Sequence, residues 1–194
     1  MTTEARWIAA DLASFPEGDG KRYEIIDGAL YVSKQPHWHH QFAAGQITRF
    51  LQEWSEISGN GVAVAAPGLI FADDDDVVPD VVWISSERLD SADVGDGKFH
   101  MAPELAIEIL SPGSRNQERD RETKRDLYAR RGVLEYWIVD WRTRQVEIYR
   151  REQATLRLAA TLYADDTIES PLLPRFAQIV SRLFVGGRPP STNP

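Results

Sequence analysis

The chain has 194 residues, a length that favours one domain with a buried core of ordinary size. Its 42% hydrophobic and 27% charged residues are typical of a globular protein, and the net charge of -8 argues against nonspecific polyanion binding by the whole molecule. The absence of cysteine excludes disulfides and thiolate metal sites and fits a cytoplasmic location. We expect neither a signal peptide nor a membrane span, because residues 1–15 lack the required basic and apolar regions and no apolar run approaches about 18 residues.

Charge is unevenly distributed along the chain. Residues 115–131 contain seven basic and four acidic residues, and residues 142–151 contain four basic and one acidic, so each segment has a net charge of +3. Acidic residues are concentrated in residues 73–76. The two positive segments therefore form either a local basic surface or ordinary solvated faces of a helix and a strand.

The first third of the chain is predicted to form a short helix, a hairpin and a long helix. A weak helical pattern covers residues 5–13. Asp27-Gly28 lies between short strands at residues 22–26 and 29–33 and is a strong hairpin signal. Apolar residues at helical spacing then predict a helix over residues 37–57, which the Ser-Gly-Asn-Gly run ends.

The middle of the chain is predicted to hold three strands and a highly charged helix. The strands cover residues 62–72 (interrupted at Pro67), 77–84 and 104–110, with residues 73–76 as an acidic turn and 85–102 as a long surface loop. The charged helix covers residues 116–130, and an aromatic strand covers 133–140. A strand–helix–strand unit favours a parallel pair of strands.

The last third is predicted to form a meander and a closing helix. Strands are expected at residues 145–149, 155–160 and 167–170, and an amphipathic helix at 176–184. Residues 186–194 are expected to be a disordered tail. Together these patterns predict an α/β fold, a single domain over residues 1–185 with a mixed central sheet flanked by helices, an N-terminal hairpin and a C-terminal β-meander.

Two acidic residues stand inside apolar strands, where an unpaired carboxylate costs several kcal/mol to bury. Glu108 lies within Leu-Ala-Ile-Glu-Ile-Leu, and Asp80 within Val-Val-Pro-Asp-Val-Val-Trp-Ile. If these strands are neighbours, the two carboxylates approach each other on one face, where they must share a proton or bind a cation. An all-oxygen site with few protein ligands suits Mg²⁺ or Mn²⁺.

The charged helix offers a lysine to this acid pair. At about 100° per residue, Lys124 shares its face with Asp120 and with the apolar anchors Leu127 and Tyr128. Lys124 is therefore expected to point towards the two acids, whereas most other basic residues of the helix point elsewhere. The alternative is a solvated pair between Lys124 and Asp120. Two carboxylates and a lysine are the minimal set for metal-assisted phosphodiester hydrolysis.

Other side chains carry weaker signals. His37, His39 and His40 lack the spacing of a zinc site and are expected to be structural or exposed to solvent. Trp137 and Trp141 belong either to the core or to a dimer surface. The sequence contains no Gly-rich phosphate loop and no Gly-x-Ser-x-Gly nucleophile elbow.

The acid pair and the helix after it resemble the PD-(D/E)XK nuclease superfamily. In that pattern a lysine normally stands two residues after the Glu, where this chain has Leu110, but Lys124 matches members that carry the lysine on the following helix. More specifically, residues 23–150 resemble the Uma-type (DUF820-like) restriction endonuclease family through the segments YEIIDGALYV, residues 36–41 ending in His40-Gln41, VVPDVVWIS, PELAIEILSPGS, DRETKRDLYARRGVLEYWIVD and VEIYR.

The resemblance implies a restriction-endonuclease-like fold and an endonuclease dependent on Mg²⁺ (or Mn²⁺). Asp80 and Glu108 would bind the metal together with the Ile109 carbonyl, and Lys124 would position the attacking water and stabilise the pentavalent phosphorus. Supporting roles are expected for Glu24, His40, Asp120 and Tyr128.

The expected partner is nucleic acid, first of all DNA, and a homodimer is expected from apolar surface on the aromatic strand and the C-terminal meander. Two alternatives remain at this point. The acidic net charge and the missing lysine after Glu108 favour a catalytically inactive binding or scaffold protein of nuclease fold. A metal-dependent hydrolase of small phosphate esters would use the same site.

Overall fold

The computed structural model describes residues 6–16 and 18–186, apart from the side chains of Ser114 and Arg115, so nearly all of the predicted tail lies outside the described residues. The described residues form twelve strands, which are β1 (Lys21–Ile26), β2 (Ala29–Lys34), β3 (Gly61–Ala65), β4 (Leu69–Ala72), β5 (Asp75–Val77), β6 (Val81–Ser85), β7 (Leu105–Ile109), β8 (Glu135–Asp140), β9 (Gln145–Glu152), β10 (Thr155–Leu162), β11 (Thr167–Ser170) and β12 (Leu173–Ile179).

Helices connect these strands. They are α1 (Trp38–Ser58), α2 (Ser86–Asp90), α3 (Ser114–Glu118) and α4 (Arg125–Arg131), with 3₁₀ turns at Ala9–Ser14 and Val180–Leu183. A π-helical segment, Arg119–Lys124, joins α3 to α4, so residues 114–131 form one continuous helix, called here the charged helix. Within the described ranges, no helix is long and apolar enough to cross a membrane.

The strands assemble into a six-stranded sheet, a four-stranded sheet and a small hairpin. The six-stranded sheet has the order β10-β9-β8-β7-β6-β3, and only its β7–β8 pair is parallel, as the strand–helix–strand pattern predicts. The four-stranded sheet has the order β2-β1-β5-β4, and β11 pairs with β12. The predicted mixed α/β fold is therefore confirmed.

Each face of the six-stranded sheet packs against a different layer. Along β7, Leu105, Ile107 and Ile109 belong to a core formed with α1, whereas Ala106 and Leu110 belong to a second core with the charged helix. Side chains of the four-stranded sheet also enter the second core. Because side chains alternate along a strand, Glu108 faces the second core.

The predictions for the N-terminal half hold for the hairpin and the long helix. Asp27 and Gly28 both adopt positive φ, as a tight two-residue hairpin turn requires, and α1 ends at Gly59 with φ of 71°. The short helix predicted over residues 5–13 is a 3₁₀ turn.

Two predicted strands, residues 77–84 and the interrupted strand of residues 62–72, are each divided between the two sheets. Val77 ends β5 of the four-stranded sheet, and Val81 begins β6 of the six-stranded sheet, with Pro79 between them. A proline cannot donate to a ladder, so the strand changes sheets at this position. Residues 62–72 are divided in the same way around Pro67. Asp80 therefore lies at a junction between sheets and not inside a strand.

The predicted acidic turn at residues 73–76 is wrong in its second half. Asp75 and Asp76 belong to β5 and are 0% and 1% exposed. Arg131 lies 2.5 Å from the Asp75 carboxylate and Lys98 lies 2.5 Å from that of Asp76, so both acids are paired with cations. The surface loop predicted over residues 85–102 also contains structure, because α2 occupies its start.

The closing helix predicted over residues 176–184 is also wrong. Its first half is β12, paired with β11, and only Val180–Leu183 forms a single 3₁₀ turn. The β9–β10 part of the predicted meander is confirmed, whereas the strand predicted at its edge, β11, pairs with β12 in a separate hairpin. Trp137 is 1% exposed in the core, which removes the aromatic strand as a source of dimer surface.

Candidate active site

Asp80 and Glu108 face each other across the β6–β7 pair. In this antiparallel register Val81 is opposite Ile107, so continuing the register by one residue places Asp80 opposite Glu108. Both side chains are buried, with exposed fractions of 5% and 2%. The proline-directed change of sheet thus positions Asp80, and the central strand β7 positions Glu108.

Three donors surround the Asp80 carboxylate. Arg22 Nη1 lies 3.0 Å from Oδ1, while Oδ2 lies 3.1 Å from His40 Nε2 and accepts a 2.8 Å hydrogen bond from the Ile109 backbone N–H. Burial opposes ionisation, but these donors outweigh it and hold the pKa of Asp80 below its usual value. Asp80 is therefore an ionised carboxylate at neutral pH.

Glu108 is held by two groups of the charged helix. Its Oε1 accepts hydrogen bonds from Lys124 Nζ at 2.9 Å and from the Tyr128 hydroxyl at 2.8 Å. Lys124, 1% exposed, also lies 2.7 Å from Glu24 Oε1 and bridges the two glutamates. The solvated Lys124–Asp120 pair considered from the sequence is absent among the described ion pairs.

The buried cluster contains one more acid than permanent cations. Glu24, Asp80, Glu108 and Asp120 are the carboxyl groups, and Arg22, Arg119 and Lys124 are the cations in contact with them.

Glu108 accounts for this imbalance. Burial, with repulsion from Asp80, Asp120 and Glu24, raises the pKa of Glu108 to about 8 although Lys124 opposes the shift. The pKa of Lys124 is also raised: burial lowers it, but the attraction of Glu108 and Glu24 prevails, so the lysine keeps its charge. Without another cation, a proton on Glu108 balances the charge of the cluster.

Sequence reasoning missed two members of the cluster, Arg22 and Arg119. Arg22 is two residues from Glu24 on β1 and therefore shares its face, a signal that the sequence contains. Arg119 lies 3.6 Å from Glu24 and 3.2 Å from Asp120, so it is an exception among the basic residues of the helix that were expected to point away. Arg119 is five residues before Lys124. This spacing is close to one turn in a π-helix but not in an α-helix, so only the π-helical segment brings the two side chains towards the same side.

The site opens into a cleft of about 520 Å³. Lys124, Glu24 and Tyr128 are absent from the described lining and lie behind Glu108. The charged and ionisable residues that line the cleft are Arg22, Lys34, His37, His40, Asp80, Glu108, Arg119 and Asp120.

The donor set of the cleft fits a hard cation. Asp80 Oδ1 and Oδ2 accept from one and two donors, and no described side chain donates to Glu108 Oε2, so the pair retains free lone pairs. Among the described residues, no group of three or more His, Cys, Asp or Glu side chains could hold a metal, so a site here would have two carboxylate ligands. A site with few protein ligands, all of them oxygen atoms, suits Mg²⁺. Zinc would instead prefer nitrogen or sulfur ligands.

His40 contributes a further unusual feature. Its ring is 4% exposed, with Nε2 directed at Asp80, and Nδ1 has no hydrogen-bond partner within the described part of the chain. The contact places His40, near the start of α1, directly beside the Asp80 carboxylate.

Comparison with known proteins identifies the family of the chain and a solved structure of the same fold. The family model Uma2, described as "Putative restriction endonuclease", matches residues 9–181. The crystal structure of a "putative nuclease belonging to DUF820" from Anabaena variabilis has the same fold, with a TM-score of 0.72 and 18% identity over 91% of this chain and 97% of that one. The type IIG restriction endonuclease BpuSI aligns with a TM-score of 0.37 and 12% identity, over 74% of this chain and 14% of that one. No curated protein matches the sequence significantly.

Proposed function

Because this chain belongs to the Uma2 family of restriction-endonuclease-like proteins, we propose that it is a metal-dependent endonuclease that hydrolyses phosphodiester bonds of nucleic acid, first of all DNA. One observation carries the proposal. Two facing carboxylates line one cleft, and their buried cluster has one more carboxyl group than permanent cations. A Mg²⁺ or Mn²⁺ ion would take the place of the proton on Glu108.

Asp80 and Glu108 would bind the cation, with the Ile109 carbonyl as a further oxygen ligand. The ion would offset phosphate charge and activate a water molecule. Arg22 and Arg119 line the cleft and would attract the phosphate. Lys124 is buried between Glu24 and Glu108, so we propose that it positions Glu108 together with Tyr128, while His40 positions Asp80.

Cleavage of DNA and RNA panels with and without Mg²⁺ tests the proposal. Asp80→Ala, and Asp80→Asn as the closer isostere, should abolish cleavage, whereas Asp96→Ala, at an exposed surface aspartate, should retain it. If both Asp80 variants cleave as well as the wild type, the activity comes from a contaminant. Cleavage of small phosphate esters without any cleavage of polymer would favour the phosphate-ester hydrolase instead.

A catalytically inactive scaffold is the second candidate, because three donors of the protein itself contact the Asp80 carboxylate. Calorimetry with Mg²⁺ and Mn²⁺ separates the two candidates. Saturable binding that Glu108→Ala removes supports the nuclease, and no binding supports the scaffold. Homodimerisation stays a prediction, for which the exposed Leu158 of the meander offers apolar surface.

A further inference from the structure

Four rings form a cluster beside the cleft, called here the aromatic stack (His37, Trp38, His39 and Trp141). His37 lies parallel to Trp141, with ring centroids 5.0 Å apart and planes 10° apart. His39 lies 4.9 Å from Trp141 and 3.7 Å from Trp38. His37 also lines the cleft, so the stack is continuous with the candidate active site.

The aromatic stack differs from ordinary core packing, because one of its rings is exposed to solvent and two of its buried ring nitrogens lack hydrogen-bond partners among the described residues. Trp38 is 58% exposed, although it is a large apolar side chain in the first turn of α1. Trp141 Nε1 and His39 Nδ1 are buried and have no hydrogen-bond partner among the described residues. Unpaired buried polar atoms are uncommon in folded proteins, so their presence in two rings of one cluster calls for a reason other than folding.

Positive charge lies next to these rings. A pocket of about 210 Å³ is lined by His39 and Trp141 together with Arg142 and Arg144. Arg142 is paired with Asp140, with nitrogen–oxygen distances of 3.0 and 2.9 Å. Arg144 donates only to the Val185 carbonyl in the described part of the chain, and no described carboxylate pairs with it. The charge of Arg144 is therefore open to an anion.

We propose that the aromatic stack and this pocket bind an unpaired nucleotide of the substrate, with its base on Trp38 and a phosphate at Arg144. The inference rests on the proposed nuclease function and specifies its substrate. Aromatic side chains bind bases through their flat faces, and in a duplex neighbouring base pairs cover those faces. Rings next to an unpaired arginine therefore favour single strands, frayed ends or extruded bases.

Binding of labelled single-stranded DNA, single-stranded RNA and the matching duplex tests this inference, measured by fluorescence anisotropy without divalent cation so that binding is separated from cleavage. Trp38→Ala should weaken single-strand binding roughly tenfold, and Trp38→Phe should restore most of it. Arg144→Gln should reduce the slope of log affinity against log salt concentration by about one, the value expected for the loss of one phosphate contact. Tyr163→Ala is the matched control, because Tyr163 is also 58% exposed and lies outside the stack.

The outcomes distinguish this inference from the nuclease proposal. If the wild type cleaves nucleic acid with Mg²⁺ but Trp38→Ala binds single strands as tightly as Tyr163→Ala does, the inference is wrong and the nuclease proposal stands. If the wild type neither binds nor cleaves any nucleic acid, both are wrong. If Trp38→Ala leaves nucleic-acid affinity unchanged and alters the sedimentation of the protein, the stack is a protein interface. Thermal unfolding of each variant shows whether a loss of binding reflects a loss of fold.

Discussion

At the scale of single residues, the protonation of Glu108 sets the charge of the buried cluster. Its folded-state pKa of about 8 lies above the ordinary value of 4.5. The folded protein therefore binds this proton more tightly than the unfolded chain does. The stabilisation is complete below pH 4.5 and is lost as the pH rises through about 8.

We expect metal-free wild type to lose stability relative to Glu108→Gln between about pH 5 and pH 8, by up to about 1.4 kcal/mol per pH unit. Glutamine can accept the same hydrogen bonds from Lys124 and Tyr128 and does not titrate. Denaturant unfolding of both proteins in chelator at several pH values measures the difference. A difference that stays constant across this range would contradict the raised pKa.

Lys124 is the second residue whose charge the cluster depends on. Removing one partner of a buried ion pair leaves the other uncompensated, so Lys124→Met should destabilise the protein by about 3–5 kcal/mol. Combining it with Glu24→Gln should cost less than the sum of the two single changes, which a double-mutant cycle by urea unfolding would show. Arg130→Met on the same helix is the control, and it should cost no more than about 1 kcal/mol because its ion pair with Asp27 is exposed.

At the scale of elements, the π-helical segment determines which side chains of the charged helix reach the site. Asp120 and Lys124 lie at its buried face, and the widened turn brings Arg119 to the same side. Leu127 and Tyr128 are completely buried and fix the C-terminal half of the helix in the core. A change of register would therefore displace the N-terminal half.

Deleting the exposed Glu122 should convert the segment to a regular α-helix and rotate its N-terminal half by about 100°. Lys124 would keep its contact with Glu108, but Arg119 would lose Glu24, and we expect weaker cation binding in a protein that still folds. Isothermal titration with Mg²⁺ and circular dichroism measure the two effects. Glu122→Ala is the control at the same position, and cation binding equal in both variants would argue against a role for the π-helical turn.

The sequence predicts elements well where the local pattern and the final packing agree. Glu108 was recognisable because Leu105–Ile109 is apolar on both faces, as a central strand must be. A helix was predicted over residues 176–184 because apolar residues there have helical spacing (Phe176, Ile179, Val180 and Leu183). That prediction is wrong. Pairing of β12 with β11 overrides this local preference, and such pairing has no signal within the segment itself.

The site was predictable in part for the same reason. Asp80 and Glu108 stand out against apolar neighbours, Lys124 shares a helix face with the apolar anchors of the charged helix, and the structure brings all three together. Arg119 does not stand out, because a π-helical turn has no clear sequence pattern and an α-helical projection directs the side chain away. The position of Lys124 behind the cleft was also unpredictable, because it depends on how the hairpin of β1 and β2 carries Glu24 to it.

At the scale of the whole molecule, the candidate site joins the two large sheets. Arg22 and Glu24 come from the four-stranded sheet, and Glu108 comes from the six-stranded sheet. A cation bound at Asp80 and Glu108 would stabilise both sheets, because these carboxylates are tied to Arg22 and, through Lys124, to Glu24.

Mg²⁺ should therefore raise the unfolding temperature of wild type in a single transition. The added stability should be about 2.7 kcal/mol at a cation concentration of one hundred times Kd. Hydrogen exchange should slow in both sheets, including the Val78 amide that donates to Glu24. Glu108→Gln should show neither effect and Asp96→Ala should show both, whereas slowed exchange in the six-stranded sheet alone would contradict the coupling.

His37, the N-cap residue of α1, belongs both to the cleft and to the aromatic stack. A nucleotide held on the stack would consequently stand at a constant distance from the bond in the cleft, set by helix geometry and not by a flexible loop. Cleavage of a duplex with one extruded base would then give products whose ends lie a fixed number of nucleotides from that base. The distance between the aromatic stack and the cleft would therefore set the position of cleavage.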